Sequence, residues 1–356
     1  MRSITTEERF YGCMLGGALG DALGYPVEFM NTDEIEKLYG RNGITAPKID
    51  KAAGSAIISD DTQMTLFTAE GIIWADRLGG KTEVSSYTTY VFYAYQRWLY
   101  TQEKLIASRE YAHVIEKNTE FSSRLLNEAA MYSRRAPGST CISALKQAAG
   151  HNYGKLTHKI NDSKGCGGVM RVAPAGLYFY RDSERAFRMA AEFAAITHTH
   201  DTGFLAAGAL GALIAELTNG ADLYEAADVA MYILKGYNGC METYRALDHA
   251  RSLDAGDVSP VEAVARLGQG WIAEEALAIA LYCAMCHCDK PENALRLAVN
   301  HNGDSDSTGA ICGNIIGAYR GAPALPYKWL KKLELGEVIE ELSGELYKCC
   351  MSADGR

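Results

Sequence analysis

Two short stretches concentrate carboxylates and hydroxyls: Ser59-Asp60-Asp61-Thr62 and Asp304-Ser305-Asp306-Ser307-Thr308. Each stands just before a run with helical periodicity. A helix cap needs only one such residue to accept hydrogen bonds from the first free amides, so runs of this length exceed what capping requires. Adjacent aspartates also repel one another unless a cation lies between them. Hard divalent ions, Mg2+, Mn2+ or Ca2+, favour carboxylate and hydroxyl oxygens. If the two stretches converge, their aspartates carry charge enough for a pair of such ions. Asp304-Ser305-Asp306 looks like the start of a calcium loop, but the required glycine and distant glutamate are missing, which excludes an EF-hand. Glu28, just past Gly24-Tyr25-Pro26, can join the same cluster at the end of a helix; taken alone it is a surface glutamate.

Three further patterns invite a chemical reading. Gly165-Cys166-Gly167-Gly168-Val169-Met170-Arg171 is either a turn or a loop whose amides cradle phosphate oxygens, with Arg171 adding a charged fork. It is not a Walker loop, because the Lys-Ser/Thr ending is absent. Thr197-His198-Thr199-His200-Asp201 suggests an HD-type metal phosphohydrolase. That reading needs further histidine ligands and leaves both acidic stretches idle; the plainer one is a helix entrance capped by Asp201. Cys283-Ala284-Met285-Cys286-His287 has the spacing of a haem attachment site, but it continues an Ala/Leu-rich helix and reads as buried thiols. Cys288 adds a zinc ligand type without a partner CxxC.

The elements that must hold these residues are helices. Strict apolar/polar alternation is almost absent, whereas helical periodicity marks 7–23, 62–78, 84–99, 122–133, 183–195, 202–217, 223–235, 260–267, 274–287, 291–300, 308–319 and, in pieces, 326–348. Pro26 is expected to end the first helix. Ser183-Glu184 and Asp289-Lys290-Pro291 read as helix starts. Segments 31–55 and 151–168 read as irregular excursions. No Pro/Ser-rich linker or charge block divides the chain, so the prediction is one compact all-α domain over 1–356.

Small residues recur at every fourth position in three of these helices: Gly12, Gly16, Gly20, Gly24; Gly203, Ala207, Gly211, Ala215; and Gly309, Gly313, Gly317, Gly321. A glycine costs about 1 kcal/mol against alanine inside a helix. A stripe of them on one face lets another backbone approach closely, and such pairs hold their ends rigidly together.

Composition removes other classes. Hydrophobic residues at 48% and charged residues at 22% are globular proportions, not those of a disordered or fibrous chain. A net charge of −9 argues against nucleic acid as the main ligand, since phosphate neutralisation needs clustered cations. No run of about 18 uncharged apolar residues exists, so no membrane span is expected. The opening MRSITTEERF has no apolar signal segment. The ten cysteines are therefore expected to be free thiols in the cytoplasm.

Taken together, GGALGDALGYPVEF, SDDTQM, GCGGVMR, the TH of ITHTHD and NGDSDSTGAICGNIIGA, in that order between Gly12 and Gly321, resemble the ADP-ribosylglycohydrolase family. That family includes the dinitrogenase reductase–activating glycohydrolases and the ADP-ribosylarginine and ADP-ribosylserine hydrolases. The resemblance implies an all-α fold with a dinuclear magnesium site, Mn2+ being an alternative. Its ligands would be Ser59, Asp60, Asp61, Asp304, Asp306 and Ser307, with Thr308 the runner-up to Ser307. Glu28, Asp60 and Asp61 would be the catalytic carboxylates. Ser163, Gly165, Gly167, Gly168, Met170 and Arg171 would surround ADP-ribose, and His198 would line that pocket. Cys166 departs from the family, which often has asparagine there in a GNGAxMR pattern; this bears on the loop's contacts and the preferred linkage.

The implied reaction releases ADP-ribose from a protein side chain or small acceptor by cleavage at the distal ribose C1. Its transition state has oxocarbenium character. A metal pair grips the vicinal hydroxyls and activates water, while a carboxylate moves the proton. The expected protein is a monomer. The competing readings are a module that binds ADP-ribose or blocks a toxin without turnover, and the HD-type phosphohydrolase.

Overall fold

The computed structural model describes residues 3–78, 84–116, 122–254 and 258–353. Among these no strand forms; there are only isolated bridges such as Gly165 to Ile272. The helices are α1 (Thr6–Gly24), α2 (Thr32–Tyr39), α3 (Asp60–Arg77), α4 (Val84–Glu103), α5 (Ser139–Lys146), α6 (Ala173–Tyr178), α7 (Ser183–Ala195) and α8 (Asp201–Asn219). They continue with α9 (Leu223–Leu234), α10 (Met241–Asp254), α11 (Pro260–Leu267), α12 (Ala273–Cys286), α13 (Pro291–Val299), α14 (Ser305–Arg320), α15 (Tyr327–Leu330) and α16 (Gly336–Ala353).

The first and third glycine stripes meet each other. α1 and α14 form the most extensive helix pair of the fold, running antiparallel. A Cβ on Gly12, Gly16 or Gly20 would overlap the carbonyl of Gly317, Gly313 or Gly309, and one on Gly24 that of Ser305. The reverse holds from α14. The absent side chains thus let two backbones touch along four turns, close enough for Cα–H···O contacts. Arg9 of α1 closes one end, donating to the carbonyls of Ala318 and Tyr319 at 2.8 Å each, where a helix C-terminus lacks intrahelical donors. The other end, where α1 stops and α14 starts, carries the acidic residues.

The remaining helices pack around this pair on one contiguous apolar core that includes Phe67, Trp98, Phe187 and Phe193. The middle stripe serves α8: a Cβ on Gly211 would stand 2.5 Å from the Ala190 Cβ and 2.7 Å from the Ala186 carbonyl of α7. By length and hydropathy α8 alone among the described helices could cross a membrane, but 89% of that window is buried inside the protein. It is a core helix. All ten cysteines lie among the described residues, and no disulfide joins any of them.

Two local expectations are corrected. Segment 122–133 is not a helix but two 3-10 turns, Leu125–Asn127 and Ala129–Tyr132. Side chains of α3 and α4 claim its carbonyls: Gln63 donates to Ala130 and Ser133, and Gln102 to Met131, at 3.0–3.2 Å. Segment 31–55 is not wholly irregular. It opens with α2, started by a reciprocal Asn31–Glu34 capping box and stopped at Gly40, whose φ of +87° suits glycine alone.

Candidate active site

The site is built where three helix ends meet. α1 ends at Gly24 and passes through a 3-10 turn, Tyr25–Val27, holding Pro26, as its missing N–H dictates. Glu28 follows, only 7% exposed. One turn before the end of α1, Asp21 is fully buried. It accepts from the amides of Ser59 and Thr62 at 3.0 Å and from the Thr62 hydroxyl. A carboxylate of α1 therefore caps α3, and Ser59 adds a second cap to the Asp61 amide at 3.2 Å. This fixes the direction in which Asp60 and Asp61 leave the first turn. Asp60 also accepts from the Gly138 amide at 3.2 Å.

α14 supplies the opposite wall. Asp304 and Asp306 both accept from the Ser307 amide, at 3.2 and 2.9 Å. The Ser59 hydroxyl reaches across to Asp306, so the two acidic stretches form one cluster. Ser307 points its hydroxyl to this side, near Cys166 and Met170. Thr308 turns inward instead, donating to backbone carbonyls and standing 2.9 Å from His301. Of the two hydroxyls weighed from the sequence, that of Ser307 alone faces the cluster.

The glycine loop lies beside it. Cys166–Gly168 is a single 3-10 turn, and the Cys166 thiol donates to Asp304 Oδ2 at 2.7 Å. Ser163 accepts from the Gly165 amide at 3.4 Å and touches the Thr140 hydroxyl. A Cβ on Gly167 would meet Cys141 Sγ at 3.0 Å and the His198 ring at 3.2 Å, so glycine lets the loop lie flat against the imidazole. Met170 is 2% exposed beneath Ser307.

Arg171 is a correction. Its guanidinium is fully buried and spent internally, donating to Thr197 Oγ1 at 2.6 Å and the Phe193 carbonyl at 3.3 Å while lying over the Tyr95 ring. Its Nε has no partner but is itself buried, so the guanidinium lies in the core rather than on the loop as a phosphate fork; it braces Thr197, which holds His198 Nδ1 at 2.8 Å. His198 is buried, and burial, then Arg171, push its pKa down to about 3, so it is a neutral ring facing the loop. The expected cap at Asp201 is also corrected: His200 Nδ1 accepts from the Thr202 amide at 3.1 Å, leaving Asp201 exposed. With His200 spent as a cap, an HD-type metal centre has no histidine pair here.

Segment 269–273, unmarked in the sequence reading, ties the walls together. Gln269 O accepts from the Asp304 amide at 2.8 Å, and Trp271 O from the Cys166 amide at 3.1 Å. Gly268 and Gly270, both at positive φ, were its available signal. At the rim Phe29 stacks on Trp271 with centroids 5.9 Å apart.

The electrostatics are those of like charges held together. Burial and then Asp306 push Asp60 and Asp61 well above the ordinary carboxylate range. Burial, then Asp304, does the same to Asp306. Asp21 rises to about 7 and Glu28 to about 10, burial again leading and Asp306 next. Asp61 Oδ1 and Glu28 Oε2 are buried without any hydrogen-bond partner. Such a set fits hard cations by the chemistry of its donors and by these two orphaned oxygens. Among the described residues no three His, Cys, Asp or Glu side chains already stand in coordinating geometry, so binding would require the carboxylates to turn.

An all-helical fold with buried carboxylates and hydroxyls at the meeting of helix ends, beside a glycine loop and a neutral histidine, defines a class of hydrolase built for a polar ligand. The comparisons say which. A model of the family described as ADP-ribosylglycohydrolase matches residues 2–355, and the chain belongs to that family. An uncharacterized protein of Archaeoglobus fulgidus is 30% identical, over 97% of this chain and 98% of its own. The ADP-ribosyl-[dinitrogen reductase] glycohydrolase of Rhodospirillum rubrum is 24% identical over 94% and 93%. The ADP-ribosylarginine hydrolase Tri1 of Serratia proteamaculans is 25% identical over 94% and 78%. A solved ADP-ribosylglycohydrolase-related protein complex superposes with a TM-score of 0.61 at 23% identity, covering 97% of this chain and 99% of that one. The protein is a glycosidic-bond hydrolase.

Proposed function

We propose that this chain is a divalent-cation-dependent hydrolase that removes ADP-ribose from a modified protein side chain. The observation that carries the cation dependence is the cluster of Asp21, Glu28, Asp60, Asp61, Asp304 and Asp306. All six are buried, and two oxygens lack partners. Ser59, Asp60, Asp61, Asp304, Asp306 and Ser307 are the residues that would hold two Mg2+ ions. Bound there, the ions would grip the vicinal ribose hydroxyls and lower the pKa of a water.

The chain's own residues do the rest. Asp21 holds the first turn of α3 so that Asp60 and Asp61 face Asp306. Glu28, at the lip beside the cluster, is the carboxylate placed to move a proton between water and the leaving group. The Cys166 amide is taken by the Trp271 carbonyl, but those of Gly167 and Gly168, in the first turn of the 3-10 segment, have no acceptor within it and suit phosphate oxygens. His198, neutral and braced by Thr197, offers a ring nitrogen to a hydroxyl without adding charge. Phe29 and Trp271, stacked and exposed at the rim, offer an apolar face to a ring of the ligand.

The test is release of free ADP-ribose from ADP-ribosyl-arginine and ADP-ribosyl-serine peptides, each with Mg2+ and with chelator. Release from at least one peptide, lost in chelator and restored by Mg2+, is expected. Tight binding of both peptides without release would instead establish a binding module.

A further inference from the structure

The Cys166 thiol faces the acidic cluster from the glycine loop. Its sulfur stands 2.7 Å from Asp304 Oδ2, and Ser307 Oγ is 3.7 Å away on the same side. The second observation is independent of the thiol. Asp61 Oδ1 is buried with no hydrogen-bond partner, on a residue only 3% exposed. The charges acting most strongly on Asp61 are all carboxylates. The sulfur thus lies against two of the candidate ligands, Asp304 and Ser307, in a cluster that also holds an orphaned carboxylate oxygen.

We propose that Cys166 supplies a sulfur ligand to the cation position beside Asp304, making it a mixed sulfur–oxygen site that favours thiophilic divalent ions of the zinc and cadmium class over Mg2+. The inference rests on the cluster being a cation site at all. Sulfur ligands select soft and borderline ions, whereas Mg2+ takes oxygen. In the binding step the S–H bond breaks, a sulfur–metal bond forms, and the proton leaves to solvent; nothing is oxidised or reduced. Around a tetrahedral zinc, sulfur and oxygen ligands lie about 3.6 Å apart. The Cys166–Asp304 pair must therefore open by about 0.9 Å from its 2.7 Å hydrogen bond, which a rotation of either side chain supplies.

The experiment titrates full-length protein, freed of metal by chelator and dialysis, with Cd2+ and separately with Mg2+. Cd2+ binding is followed by the ultraviolet thiolate-to-cadmium charge-transfer band and Mg2+ binding by calorimetry. Variants are Cys166→Ser, Cys166→Ala and, as a background control for the other thiols, Cys286→Ser. The inference expects a band in wild type and C286S that is missing from C166S and C166A. It also expects Cd2+ affinity to fall by about tenfold or more, while Mg2+ affinity in C166S changes by less than about twofold. Equal bands and equal Cd2+ affinity in wild type and C166S, with Mg2+ still bound, overturn the sulfur ligand and leave the cation site standing. Binding of neither ion overturns both.

Discussion

Asp304 serves two partners, its Oδ1 accepting from the Ser307 amide and its Oδ2 from the Cys166 thiol. Asn at this position keeps a cap acceptor but removes one negative charge from the cluster. D304N is therefore expected to lower cation-dependent ADP-ribose release by about tenfold or more. Its melting temperature in chelator should stay level or rise, because one source of repulsion is gone. A residue that only capped α14 would give neither change, since Asn caps about as well as Asp. Arg171 makes the opposite kind of case. As a buried brace it holds Thr197, Phe193 and the Tyr95 ring. Lysine cannot reproduce that fork and stack. R171K is expected to cost about 2 kcal/mol or more in urea unfolding, with weaker ADP-ribose binding following from a displaced His198. Weaker binding at unchanged stability would mean that the guanidinium meets the ligand directly.

Among the elements, the α1–α14 pair sets the geometry, because its glycines bring the end of α1 against the start of α14. A methyl on Gly20 or Gly313 would overlap a facing backbone carbonyl that cannot swing away. Gly20→Ala and Gly313→Ala are each expected to cost about 3 kcal/mol, the upper range of overpacking, and to weaken Mg2+ binding. Gly336→Ala is the control: its Cβ meets nothing nearer than the Leu330 carbonyl at 3.8 Å, so no loss is expected there, and a gain of up to about 1 kcal/mol. Denaturation curves of the three variants decide this. The stripes and both acidic stretches were legible in the sequence because residue type and spacing alone reveal them. Asp21 was not: in a run of apolar residues it looks like an interruption, and only the folded chain shows it capping α3. Arg171 misled for the converse reason, since an arginine after glycines has the same composition whether it faces a ligand or the core. Segment 122–133 had helical spacing, but periodicity cannot show that Gln63 and Gln102 will take its carbonyls.

Across the whole molecule the cluster ties stability to pH and to cations. Glu28, ordinarily 4.5, is pushed up to about 10 in the uncompensated site, by burial and then by Asp306. Its contribution to stability is complete below pH 4.5 and is lost as pH rises toward 10. Between pH 7 and 9 the folded protein keeps a proton that the unfolded chain has released, so stability in chelator should fall by about 1.4 kcal/mol per pH unit from this group. His198 does not oppose it there, because its ring is neutral in both states above about 6.5. Asp60, Asp61 and Asp306, also pushed up, add slope of the same sign, so urea unfolding at pH 7, 8 and 9 should show a fall that Glu28→Gln lessens by about that amount. The account as a whole requires that two acidic stretches far apart in sequence form one cation site. Calorimetric titration of metal-free protein with Mg2+, beside Asp61→Asn and Asp306→Asn, decides that. Two ions per chain are expected for wild type, with binding weakened by about tenfold or more in both variants; no Mg2+ binding, or loss in one variant with full binding in the other, would contradict it.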